Sequence, residues 1–145
     1  MATVQDVLVA KGATLHTIDA SVSVLDATQI MNQHKIGALV VTENGCVVGM
    51  FTERDVLRRV VAEQLLPASV RVGDVMTREV ICCEPHTDLD EVSAIMKIRH
   101  VRHVPVCADG GKVLGLVSIG DVNAHYASNQ AQTIHFLSDY IYGRV

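Results

Sequence analysis

Tryptophan is absent from this chain, and aromatic residues make up only 3% of its 145 positions. Proteins that hold single-stranded nucleic acid stack bases on aromatic faces above a basic groove. Neither feature is here, because 12 Lys+Arg against 16 Asp+Glu give a formal net charge of −4. A nucleic-acid partner is therefore not expected. Nor does any apolar run approach the roughly 20 residues that cross a bilayer, so no membrane partner is expected either. Met1 to Ala10 carries Asp6 and no basic residue, which argues against a secretory signal and for a cytoplasmic protein. Cysteines are few. Cys46, Cys82, Cys83 and Cys107 show no C-x-x-C spacing, and the adjacent Cys82 and Cys83 would face opposite sides of a strand. Buried free thiols fit better than a disulfide framework. There is no H-E-x-x-H, no G-x-x-x-x-G-K-[ST] and no G-x-G-x-x-G, and the histidines are scattered. Zinc hydrolase, P-loop and Rossmann readings fall away, and no metal is expected.

What the chain has is apolar residues, 49% of the total with 19% charged. That composition makes one compact domain, or two very small ones sharing a core. It also has an internal repeat. Ile30-Met31 recurs as Ile95-Met96, Val41 and Gly45 as Val106 and Gly110, Gly49 as Gly115, and Asp55-Val56 as Asp121-Val122. Upstream, Asp6-Val7 matches Asp74-Val75.

The physical pattern repeats more completely than the letters. Val24, Ala27, Ile30 and Met31 lie three and four apart, on one side of a helix, and so do Leu89, Val92, Ile95 and Met96. An apolar strand follows each, over Ile36 to Val41 and Val101 to Val106. Glu43-Asn44-Gly45 and Asp109-Gly110-Gly111 supply hairpin turns, leading to strands at Val47 to Phe51 and Val113 to Val117. A second helix begins at Thr52 or Ser118, with Val56, Leu57, Val60 and Val61 as the inner face in the first copy. Short strands near Thr14 to Ile18 and Val80 to Cys83 precede the first helices. Each unit thus reads β-α-β-β-α. A unit of about 60 residues buries too little alone, so an α+β fold is expected in which two repeats, 4–66 and 70–128, pack sheet to sheet with pseudo-two-fold symmetry. Ile134, Leu137 and Ile141 mark a C-terminal helix over 130–142.

The motif G-x-x-[ST]-x-x-D closes both hairpins, as Gly49 to Asp55 and Gly115 to Asp121. Thr or Ser at a helix start with an acid three residues on is close to a capping box. The same geometry offers amide groups and a positive dipole end to a phosphate, and a carboxylate to a vicinal diol. Composition leaves both readings open.

The β-α-β-β-α repeat ending in this motif resembles the tandem CBS-domain family, the paired Bateman module. Thr52-Glu53-Arg54-Asp55 resembles its T-x-R-D signature, and Val101 to Val106 its hRHhPV strand; the resemblance spans roughly Val4 to Ser128. It implies two antiparallel repeats that dimerise. It implies clefts that bind adenosine-containing ligands: AMP above all, or ADP, ATP, NAD or S-adenosylmethionine. It further implies a regulatory rather than a catalytic role, with output to an effector protein. Carried over by position, Asp55 and Asp121 would hold ribose hydroxyls, and Thr52 and Ser118 phosphate or ribose oxygens. Ile18, Cys83, Gly37, Ala38, Leu39, Val104 and Pro105 would border the adenine, although core packing is the plainer account of Ile18, Leu39, Val104 and Cys83 taken singly. Pro105 also cannot donate to a ladder, so its strand should be irregular or at an edge there.

The two copies differ in ways that bear on phosphate. Arg102 and His103 enter one strand where the other copy has Gly37 and Ala38. Arg54 opens one helix where the other has Gly120. Arg54, Arg102 and His103 are the phosphate candidates, while Gly120 allows close approach to the backbone. Because the repeats nearly fill the chain, a stand-alone nucleotide sensor is expected. The competing expectation is a ligand-independent dimerisation module.

Overall fold

The structure is a computed structural model that describes residues 1–12 and 14–128; the helix expected over 130–142 lies outside the described residues. Helix α1 (Val4–Lys11) opens on a capping box made by Thr3 and Asp6. Strand β1 (Thr17–Asp19), helix α2 (Val24–His34) and strands β2 (Ala38–Glu43) and β3 (Cys46–Thr52) follow. The β2–β3 turn places Asn44 and Gly45 at φ 53° and 80°, the left-handed pair that a tight hairpin needs. Helix α3 (Glu53–Asp55) then runs into a π-helical turn over Val56–Val61. After a 3₁₀ turn at Pro67–Ser69 come helix α4 (Val72–Val75), helix α5 (Leu89–Arg99), and strands β4 (His103–Cys107) and β5 (Val113–Ser118). A helix, α6, covers 119–128.

The strands form two sheets, β1-β2-β3 and β4-β5. Each sheet has one helix-covered face. Leu39, Val41 and Phe51 pack with Val24, Ala27 and Met31 of α2. Val104, Val106 and Val117 pack with Leu89, Val92 and Met96 of α5. The opposite faces meet through Ala38, Val40 and Met50, with Leu15, Val47, Val80, Val113 and Leu116 around them. The repeats therefore pack sheet to sheet as the pattern required.

The leading helices are exchanged between the copies. Helix α1 lies in the second core, where Val4 and Val7 are buried, and the Val4 amide donates to the Thr87 carbonyl at 3.0 Å. Helix α4 lies in the first core through Val72 and Val75, and the Val72 amide donates to the Val22 carbonyl at 2.8 Å. Each buried valine contributes about 1.5–3 kcal/mol gross. Four of them weigh heavily against a net domain stability of about 5–15 kcal/mol.

Two expectations change. Val80 to Cys83 forms no strand; a single parallel bridge joins Cys83 to Val106. The cause is Pro105. Cys83 donates to the Pro105 carbonyl and accepts from the Cys107 amide, so the next ladder bond toward Ile81 would need a Pro105 N–H, which proline lacks. In the first copy Val40 stands in that place, and β1 pairs over three residues, Thr17 to Asp19. The second change is at Leu57 and Val61, which are 62% and 59% exposed while Val60 is buried. The bonds from the Ala62 amide to Leu57 and from Leu65 to Val60 close i→i+5 turns. That winding stacks Val60 over Val56 and turns Leu57 and Val61 outward.

The motif glycines serve the exchange. A Cβ at Gly49 would come within 2.5 Å of Met76 Sδ and 2.9 Å of the Thr77 carbonyl oxygen, whereas one at Gly115 would meet only the Leu8 side chain at 2.9 Å. A flexible tip can retreat and a paired carbonyl cannot. Gly49→Ala should lose about 1–3 kcal/mol and Gly115→Ala distinctly less, as measured by urea denaturation. Equal losses would show that the Thr77 carbonyl does not set the spacing.

Candidate functional site

Among the described residues, a larger and a smaller cleft lie along the junction of the sheets, and each is built across the repeats. The larger, about 820 Å³, takes Thr52, Glu53, Arg54 and Asp55 from the first copy. It takes Thr77, Glu79, Val80 and Ile81 from the segment leading into the second, then residues 99–103 and Ser118 to Gly120. The smaller, about 490 Å³, takes Lys11, Thr14 to His16, His34 to Ala38, Leu116 and Ser118; Asp121 lines neither cleft. Gly37, His103 and Ser118 line both. Arg102 therefore shares a cleft with Arg54 and Asp55, across the two copies.

Both [ST]-x-x-D motifs form capping boxes. The Thr52 amide and hydroxyl donate to Asp55 Oδ2 at 3.0 and 3.2 Å, and the Asp55 amide returns to Thr52 Oγ1 at 3.3 Å. The Ser118 amide donates to Asp121 Oδ2 at 2.9 Å, and the Asp121 amide to Ser118 Oγ at 3.1 Å. Another first-turn amide is also used in each copy, Glu53 donating to the Gly37 carbonyl and Ile119 to that of Arg102. These contacts do not claim the amides of Arg54 and Gly120. A Cβ at Gly120 would make only an ordinary contact, 3.5 Å from Ser118 Oγ, so that position stays open.

The two acids differ in their partners. Asp55 is the one buried charged side chain among the described residues, 4% exposed. Its Oδ1 accepts from the Thr77 hydroxyl at 3.0 Å, with Arg59 Nε 3.8 Å away. Arg59 spends its guanidinium on the Val75 and Met76 carbonyls, at 3.3 and 2.8 Å. Asp121 instead meets Lys11 Nζ at 2.8 Å, and the same ammonium donates to the Leu116 carbonyl at 2.8 Å. Burial pushes the Asp121 carboxyl up, but Lys11 and the Ser118 amide together outweigh it and hold it below the usual carboxylate range.

Cationic groups gather in the larger cleft. Arg54, Arg99 and Arg102 line it beside Glu53 and Glu79. Arg54 Nη1 reaches across to the His100 carbonyl at 3.3 Å, tying the copies together while leaving other donors of its fork. Burial, followed by Arg102 and Lys11, lowers the pKa of His103 from the ordinary histidine value. It enters the site as a neutral imidazole near pH 7, a hydrogen-bonding group rather than a cation.

The remaining candidates sit deeper. Ile18 and Leu39 belong to the first core, and Cys83 and Val104 to the second. Ala38 lies in the inter-sheet core and at the edge of the smaller cleft. Pro105 is buried within β4. Burial pushes the Cys83 thiol up to about 11, which keeps it protonated and unreactive. The sequence reading missed Thr77 and Lys11. Both sit just beyond the repeated Asp-Val pairs, at the ends of the exchanged helices, and the signal was that placement.

The lowered pKa of His103 fixes a sign. Between its folded value and about 6.5, the unfolded chain binds more protons than the folded one. This contribution to stability is present above about pH 6.5 and is lost as pH falls through the folded pKa. Denaturant melts at pH 7.5 and 5.5 should show a smaller pH-dependent loss for His103→Gln than for the parent. Identical losses would place the titration elsewhere.

The chain is matched by the family model for the CBS domain twice, over residues 4–62 and 72–128. It is 36% identical to the mitochondrial CBS domain-containing protein CBSX3 of Arabidopsis thaliana, over 97% of this chain and 72% of that one. A solved CBS-domain protein of Burkholderia ambifaria superposes with a TM-score of 0.83 at 38% identity, covering 89% of this chain and 96% of that one. The CBS domain pair of protein MJ0100, solved with 5′-methylthioadenosine and S-adenosyl-L-methionine, superposes with a TM-score of 0.80 at 25% identity, over 89% and 98%. With two matched domains and this architecture, the chain belongs to the CBS-domain family.

Proposed function

We propose that the chain is a regulatory module that binds a phosphorylated adenosine ligand, AMP foremost, in the larger cleft and passes occupancy to an effector protein. The observation that carries this reading is the meeting of Thr52, Arg54 and Asp55 from one copy with Arg99 and Arg102 from the other. Asp55 suits the ribose diol, Val80 and Ile81 offer an apolar wall to the base, and the arginine forks suit phosphate oxygens. Three arginines favour AMP, ADP, ATP or NAD over S-adenosylmethionine, which carries a sulfonium and no phosphate. A ligand touching both copies stabilises the arrangement in which the cleft has that shape, and this differential affinity is what shifts a conformational population. The adenosine ligand of the MJ0100 pair supports the ligand class. No catalytic step is assigned to the site.

Leu57 and Val61 on the π-helical turn are exposed apolar side chains, 62% and 59% exposed. A closed homodimer that covers them is the simplest assembly.

Two measurements test these readings. In calorimetric titrations Arg102→Ala should weaken AMP by about 10- to 150-fold, the equivalent of roughly 1.5–3 kcal/mol for a charged hydrogen bond, and leave adenosine nearly unchanged. An unaltered AMP-to-adenosine ratio would remove Arg102 from the phosphate site. Absence of binding by either ligand to the parent would favour a ligand-independent dimerisation module. In sedimentation, Leu57→Lys should shift the parent dimer to monomer; a persisting dimer would place the interface elsewhere.

A further inference from the structure

We infer that Lys11 is a specificity determinant that closes the smaller cleft to nucleosides, so that each chain takes one nucleoside, at Asp55. The inference rests on the reading of the motif acids as ribose ligands and adds which of the two serves.

The two acids occupy equivalent places, 66 residues apart, as do Met50 and Leu116. In the larger cleft the Thr77 amide donates to the Met50 carbonyl at 2.8 Å and the Thr77 hydroxyl donates to Asp55 at 3.0 Å. On the wall of the smaller cleft a single ammonium does both tasks, since Lys11 Nζ donates to the Leu116 carbonyl and to Asp121 Oδ2, each at 2.8 Å, and Lys11 rather than Asp121 lines that cleft. The difference is chemical. A ribose hydroxyl that displaces the Thr77 hydroxyl exchanges one neutral donor for another on the same carboxylate. A ribose hydroxyl at Asp121 must displace a cation, and the freed ammonium also loses its carbonyl partner. Both bonds end on a carboxylate, but the Lys11–Asp121 bond is also an ion pair, and a neutral hydroxyl cannot replace its counter-charge. Arg59 does not close Asp55 in the same way, because its Nε stands 3.8 Å away, beyond hydrogen-bond range, and its guanidinium is held by carbonyls. Lys11 ends α1 and lines the smaller cleft. The exchanged helix that completes the second core thus also supplies the group that occupies the second acid.

Calorimetric titration of the full chain with adenosine, which has no phosphate to attract a lysine, tests this. The parent should bind one adenosine per chain, and Lys11→Met should bind two. The double variant Lys11→Met/Asp121→Asn should return to one. Lys11→Gln keeps a donor for the Leu116 carbonyl and should also bind two, which covers the case in which Lys11→Met loosens α1. Two adenosines on the parent, or one on both single variants, would overturn the role of Lys11 while leaving the nucleotide reading intact. Absence of adenosine binding by the parent and all variants while AMP still binds would overturn the role of Lys11 alone, and absence of both ligands would overturn both readings.

Discussion

The exchange of leading helices is the constraint on which the rest of the molecule depends. Val4 and Val7 complete the second core, and Val72 and Val75 the first. Neither repeat closes its helix-covered face without a segment that precedes the other. The last turns of α1 and the segment that follows α4 are consequently drawn along the junction of the sheets, past Gly115 and Gly49, where any larger residue would meet Leu8 or Met76. Lys11 and Thr77 arrive beside the motif acids by this route. The clefts are composite for the same reason that the cores are.

A composite cleft suits a sensor. Its walls belong to two bodies, so whatever bridges them has a stake in their relative position. Arg54 already spans the gap to the His100 carbonyl, and a ligand placed between Arg54 and Arg102 would strengthen that tie. The charges are also unevenly shared. The larger cleft carries three arginines, whereas the smaller has Lys11 paired with Asp121 and a stacked pair of rings, His16 and His34, with centroids 4.0 Å apart. Pseudo-symmetry in the backbone has not produced equivalent chemistry.

Much of this was legible before the fold. The hairpins followed from Asn44-Gly45 and Gly110-Gly111, because only such residues accept left-handed φ cheaply. The inner faces of α2 and α5 followed from their three- and four-residue spacing. The capping boxes and the binding motif were the same letters, and both readings remain compatible with the geometry. Other features were not legible because they depend on partners distant in sequence. The outward turn of Leu57 and Val61 comes from π-helical winding, which an α-helical period does not reveal. The lost strand at Val80 to Cys83 comes from Pro105, whose irregularity was expected but whose victim, the neighbouring segment, was not. Thr77 and Lys11 carry no motif of their own. Their importance arises only once the exchanged helices deliver them.

The most direct measurement is a crystal structure of the full chain grown with saturating AMP. A cross-repeat site predicts the ribose on Asp55, the base against Val80 and Ile81, and the phosphate between Arg54 and Arg102. Density for AMP confined to one repeat, or ribose on Asp121 with Asp55 still bonded to Thr77, would contradict it.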